Sequence, residues 1–180
     1  MPTWVALLRG INVSGHKAIP MVRLRKTFEG TGFEGVKSYV QSGNVIFETP
    51  ASALDKLARK IEEGIRRDFG LSVTVILRTA GELKKIVKGN PFLTEKGIDP
   101  TKLHITFLAK PPSKTALKNL ETLPTSPDRF RLIDRQVYLY CPEGYGKSKL
   151  SNSAFEKTLL VDATTRNWRT TTTLCEMAAG

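Results

Sequence analysis

The amino-acid sequence predicts an α+β fold of two halves, each running β-α-β-β-α-β, with a linking helix between them and another helix at the C-terminus. Three observations predict it. A short apolar run opens each half, at Trp4–Leu8 and at Leu103–Leu108. Each half then carries one hairpin signal, around Ser42-Gly43-Asn44 and around Asp134-Arg135-Gln136. Apolar stripes at helical spacing, with their own start and stop residues, fall between and after those strands.

Trp4–Leu8 is nearly continuous in apolar residues, which predicts a strand buried on both faces. After a loop from Gly10 to Lys17, Pro20 suits the first turn of a helix carrying Met21, Leu24 and Phe28, with Gly32 past its end. Val36–Val40 and Val45–Phe47 are the next two strands. Ser52 is placed to cap a second helix whose stripe is Leu54, Leu57, Ala58, Ile61, Ile65 and Phe69, ended by Gly70. Lys56, Arg59, Lys60, Arg66 and Arg67 crowd the rest of its surface, and Val73–Leu77 is the fourth strand.

A helix over Ala80–Lys88 then leads through Asn90-Pro91-Phe92 and a turn-rich stretch to Pro100. The second half repeats the order. Leu103–Leu108 is a strand, Pro111-Pro112-Ser113 opens a helix to about Leu123, and Arg129–Ile133 pairs with Val137–Cys141. Ser151–Leu160 is a helix, Val161–Thr164 the last strand, and a helix follows from Asn167. The threonine run Thr170–Thr173 weakens that helix, because β-branched residues lose side-chain freedom there. The expected organisation is two ferredoxin-like halves with antiparallel sheets, at 1–78 and 102–180, joined by a linking segment at 79–101. The first and third strands of each half are the expected central pair.

Composition bounds the function. Hydrophobic residues make up 40% and charged residues 25%, an ordinary globular mix. No apolar run approaches the ~20 residues that cross a bilayer, and the first residues lack the cationic start of a signal peptide. Cys141 and Cys175 are far apart and His16 and His104 stand alone, so neither a disulfide framework nor a metal centre is expected. No cofactor is indicated, and a cytoplasmic, non-membrane protein is expected. The unusual feature is charge: 28 lysines and arginines against 17 acidic residues, a formal +11. Both halves share the excess, with 15 basic against 8 acidic residues in 1–90 and 13 against 9 in 91–180. Such a field concentrates polyanions and phosphorylated solutes.

Three loops carry groups that bind anions. The first, Gly10 to Lys17, follows a strand and has the G-x-x-x-x-G spacing of a phosphate loop. The match to a nucleoside-triphosphate loop fails, because His16 stands where lysine belongs and Lys17 where serine or threonine belongs. Arg9, Gly10, Asn12 and Lys17 still offer amides and cations to an anion. The second is Gly144-Tyr145-Gly146-Lys147-Ser148-Lys149, with Tyr145 able to stack on a ring and Lys147, Ser148 and Lys149 ahead of a helix. The third is Arg166-Asn167-Trp168-Arg169, in which two guanidinium forks flank a stacking surface. At the first hairpin, Ser42 and Asn44 either add polar contacts or stabilise the turn. No nucleophile–base arrangement is evident.

These segments also carry a resemblance. Leu7-Leu8-Arg9-Gly10-Ile11-Asn12-Val13, Gln41-Ser42-Gly43-Asn44-Val45, Gly144 to Leu150 and Ala163 to Thr170 together resemble the bacterial family called domain of unknown function 1697. The resemblance implies a two-part α+β fold of the ferredoxin-like kind and implies no activity.

The leading expectation is a binding protein for an anionic ligand, a nucleotide or nucleic acid, served by the basic loops of both halves. One alternative is an enzyme acting on a small phosphorylated or carboxylated substrate, with Lys147 or Arg166 stabilising developing negative charge. Another is an interaction module without a ligand.

Overall fold

The computed structural model describes residues Met1–Gly180. The chain forms two compact units: Met1–Lys84 with Thr173–Gly180, and Lys85–Thr172.

The first unit runs β1 (Thr3–Leu8), α1 (Met21–Gly30), β2 (Glu34–Tyr39), β3 (Asn44–Glu48), α2 (Leu54–Phe69), β4 (Val75–Thr79) and the start of α3 (Ala80–Lys88). Its strands form one sheet in the order β2-β3-β1-β4, with every neighbouring pair antiparallel. As expected, the first and third strands are the central pair. Trp4, Ala6 and Leu8 project from β1 into a core with Leu24 and Phe28 of α1 and Leu57, Ile61 and Ile65 of α2. Val5 and Leu7, on the opposite face, are buried too, which is why β1 is apolar throughout rather than alternating. Phe28, Phe33 and Phe47 pack as a triangle with ring centroids 4.5 to 6.0 Å apart. Truncating any of the three to alanine is expected to cost about 3–5 kcal/mol.

Helix α2 ends as its sequence predicts, with Gly70 in the left-handed region at φ 66°. Its start differs. Ala53, not Ser52, is the capping position, and no side chain caps it.

The second unit contains two 3₁₀ turns at Pro91–Thr94 and Pro100–Lys102, then β5 (Leu103–Leu108), α4 (Lys114–Leu117), a 3₁₀ turn (Lys118–Thr122), β6 (Arg129–Ile133) and β7 (Gln136–Tyr140). A short 3₁₀ turn at Tyr145–Lys147, then α5 (Asn152–Leu159), β8 (Ala163–Asn167) and α6 (Trp168–Ala179) complete the chain. The sheet order is β6-β7-β5-β8, again antiparallel throughout. Leu108, Val137, Leu139, Phe155 and Leu159 make its core.

Two strands sit further along the chain than apolarity predicts. β4 covers 75–79 instead of 73–77, and β8 covers 163–167 instead of 161–164. Val73 and Val161 are buried in the cores but lie ahead of the ladder. Apolar character reports burial, whereas strand membership is set by pairing with β1 and β5. The threonine run stays helical. Thr170 and Thr171 are buried, and the hydroxyls of Thr171 and Thr172 donate to the carbonyls of Asn167 and Arg169, at 2.9 and 3.0 Å.

Candidate functional site

In the first unit, the loop after β1 and the β2–β3 hairpin pack together. Asn12 is the tie. Its side-chain amide donates to the Ile19 carbonyl at 2.9 Å and the Gln41 carbonyl at 2.7 Å, while its Oδ1 accepts from the Ile19 N–H at 2.7 Å. It holds φ 54°, a left-handed conformation that asparagine tolerates. Gly43 lies against the same loop at φ 87°, where a Cβ would sit 2.6 Å from Ile11 Cδ1. Asn44, fully buried, donates to the Tyr39 carbonyl at 2.9 Å and to Ser42 Oγ at 3.0 Å. Lys17 is exposed and its Nζ donates to the Ser72 carbonyl at 2.9 Å. Arg9 is half-buried, and its backbone N–H donates to the Thr74 carbonyl. Gly10 is open on its Cβ side. Asn12, Ser42 and Asn44 therefore build the loop itself.

In the second unit, Tyr145 turns inward. Its hydroxyl accepts from the Asn152 N–H at 2.8 Å, and its ring stacks on His104 with centroids 4.6 Å apart. Burial raises the Tyr145 hydroxyl pKa and lowers that of the His104 imidazole, since each loses water around its charged form. Asn152 extends this network: its Oδ1 accepts from Thr165 Oγ1 at 3.0 Å, and Thr165 meets Thr106 at 2.8 Å. Ser148 Oγ accepts from the Leu150 N–H at 2.9 Å. Lys147 and Lys149 are exposed.

Arg166 is not a loop residue. It belongs to β8 opposite Ile105, is buried, and donates from one guanidinium nitrogen to Thr164 Oγ1 at 2.6 Å and the Thr165 carbonyl at 3.1 Å. Burial pushes its pKa down to about 10. The residue falls here because the strand begins two positions later than its apolar start implies. Asn167 is also a structural residue, its Oδ1 accepting from the Thr170 N–H at 2.8 Å at the head of α6.

Trp168 and Arg169 do open onto solvent. With Pro100, Thr101, Asn167 and Thr172 they line a hollow of about 410 Å³. Trp168 is half-buried and Arg169 exposed. The Thr101 hydroxyl is already spent on Asp99 Oδ1, at 2.8 Å. The polar and aromatic groups lining the hollow include the Trp168 indole, the Arg169 guanidinium and the Asn167 amide.

One feature escaped sequence reasoning. A hollow of about 700 Å³ lies against α2, lined by Phe33, Ser52, Lys56, Arg59 and Lys60 among others. The cations were legible as a crowded helix surface; the concavity beside them was not. No group of three or more His, Cys, Asp or Glu side chains is placed to hold a metal ion.

The fold defines an α+β protein of two four-stranded antiparallel sheets. The chain belongs to the family described as "Protein of unknown function (DUF1697)", which matches residues 1–138. It is similar in fold to the conserved bacterial protein SP0830 from Streptococcus pneumoniae, with a TM-score of 0.80 and 20% identity over 100% of this chain and 99% of that one. Comparison with curated proteins finds no match.

Proposed function

We propose that the protein binds an anionic ligand carrying a flat ring, a nucleotide or a nucleic acid strand, and that it does so as two ferredoxin-like halves, 1–78 and 102–180, joined by 79–101. The observation that carries this reading is the hollow of about 410 Å³ beside Trp168 and Arg169. An indole offers a base a stacking partner worth about 1–3 kcal/mol. A guanidinium beside it matches a phosphate with paired donors. Exposed Lys17, Lys147 and Lys149 add to the positive field that draws such ligands in. Reduced cysteines Cys141 and Cys175 fit a cytoplasmic setting.

Tryptophan fluorescence tests this directly. Trp4 is 6% exposed, so a surface ligand reports through Trp168. Titration with ATP or a short single-stranded RNA at low salt is expected to quench the emission, and Trp168→Phe to abolish the quench. Arg169→Ala is expected to weaken binding about tenfold, the loss of one charge-assisted contact. Flat titrations by fluorescence and calorimetry with both ligands overturn the reading.

A further inference from the structure

We infer that the outer face of helix α2 is a track for the sugar–phosphate backbone of a nucleic acid strand. It rests on the reading above only for the class of ligand, and no residue of the Trp168 hollow takes part.

The helix has 16 residues and buries Leu57, Ile61, Gly64 and Ile65. Its opposite side exposes Lys56, Arg59 and Lys60 and then, seven positions after Arg59 and Lys60, Arg66 and Arg67, with Glu63 between the two clusters, so the cations share one face rather than scatter. At 1.5 Å per residue the helix is about 24 Å long. One strand of a duplex presents a phosphate about every 3.4 Å along its axis, so the stripe, about 17 Å from Lys56 to Arg67, spans roughly five of them.

Among the acidic side chains, Glu63 lies within the stripe and lines the same hollow as Lys56, Arg59 and Lys60, forming no ion pair with them. Asp68 is engaged by Arg67 Nε at 3.0 Å and by Thr27 Oγ1 at 2.7 Å, and those hydrogen bonds hold its carboxyl below the usual range. Glu62 Oε1 accepts from the Val75 N–H at 3.2 Å. Asp55 sits in the first turn, where it favours the helix. Lys56, Arg59, Lys60 and Arg66 form no ion pair with a carboxylate.

Both ends of the stripe are concave. Near its N-terminus lies the hollow of about 700 Å³ holding Lys56, Arg59 and Lys60, with the Lys60 ammonium over the Phe33 ring at 5.5 Å. Near its C-terminus lies one of about 410 Å³ lined by Arg23, Lys26 and Arg67, with the Arg23 guanidinium over the Phe69 ring at 4.8 Å. Rings under both cations hold them in place without neutralising them. The scaffold does not demand this charge: α5, in the same position of the second unit, carries Lys157 as its one cation.

The test is fluorescence anisotropy of the full chain with a 20-nucleotide single-stranded RNA and a 20-base-pair DNA duplex of mixed sequence, over a range of KCl. The variant K56Q/R59Q/K60Q/R66Q is expected to bind both probes at least tenfold more weakly at low salt. Its plot of log affinity against log salt should flatten by roughly 3. A matched variant, K84Q/K85Q/K96Q/K118Q, removes the same charge at other exposed lysines and is expected to bind within twofold of the parent. Circular dichroism should be unchanged in both, since every substituted side chain is exposed. Equal losses in the two variants would show that net charge alone attracts the probes, and would overturn the track. Absence of binding by the parent chain overturns it as well. A failed Trp168 titration with ATP leaves this prediction standing, and failure here leaves that one standing.

Discussion

The two units are the same sheet with different attachments. Leu8 pairs with Val75 and Val5 with Arg78; Leu108 pairs with Ala163 and Ile105 with Arg166. The Leu8 N–H donates to the Gly43 carbonyl, and the Leu108 N–H to the Arg135 carbonyl. Arg78 and Arg166 are both buried at the same place in their last strands, and each of those strands leads straight into a helix. The attachments diverge. α2 has 16 residues and five cations, whereas α5 has 8 residues and one. Helix α1 follows β1 only after a loop from Arg9 to Pro20, whereas α4 follows β5 closely, at Lys114. The lesson is that the sheet supplies position while the unshared loops and helix faces supply chemistry, since a surface residue can change without disturbing the ladder.

Substitutions at matched positions sharpen or break that comparison. The largest effect is expected at the hairpins. Gly43→Val places side-chain carbon within 2.9 Å of Leu8 Cβ and 2.6 Å of Ile11 Cδ1 at a positive φ. A loss of about 3 kcal/mol is expected, a fall in Tm on the order of 10 °C. Arg135→Gly, at the matching turn, should cost less than half as much; equal losses would mean that the first loop does not crowd its hairpin.

Tyr138 comes next. Its hydroxyl donates to the Ile86 carbonyl at 2.8 Å, whereas Ile46 occupies the matching place in β3. Tyr138→Phe is expected to cost about 1–2 kcal/mol at neutral pH. Burial pushes the Tyr138 pKa up to about 12 from an ordinary 10. The folded form therefore keeps its proton when the unfolded form has lost it. The resulting stabilisation is complete below pH 10 and disappears as pH rises through 12. Chemical denaturation of both proteins across that window should show the difference between them shrinking; a constant difference breaks the assignment.

Asn167→Ala should cost about 1 kcal/mol by uncapping α6, and Asn167→Ser should restore most of it. A Ser variant as unstable as the Ala variant would show that Asn167 does more than cap. The smallest effect is expected at Val40, a β-branched residue at φ 52°. Its counterpart in the second hairpin is Asp134 at φ 54°, a type that accepts this conformation. Val40→Asn is expected to raise stability by about 0.5–1 kcal/mol, read as a small increase in Tm.

Much of the fold was legible in the sequence because its signals are local. The unbroken apolar run at Trp4–Leu8, the stripe from Leu54 to Phe69 and its end at Gly70 each report on neighbours in the chain. Val161 misled because a valine can be buried without pairing, and only the register with β5 places Arg166 inside the sheet. Of the residues singled out for a ligand, Asn12, Ser42, Asn44, Tyr145, Ser148 and Asn167 hold loops and helix ends together. Lys17, Lys147, Lys149, Trp168 and Arg169 are among those open to solvent to some degree.

By itself, then, the sequence determined the order of helices and strands, the places where they turn and the excess of positive charge. Those follow from residue type and from spacing along the chain. Only the tertiary structure decided which polar groups remain free and where hollows form. A hydrogen bond such as that from Asn12 to the Gln41 carbonyl joins residues remote in sequence, and its partner exists only once the sheet has closed.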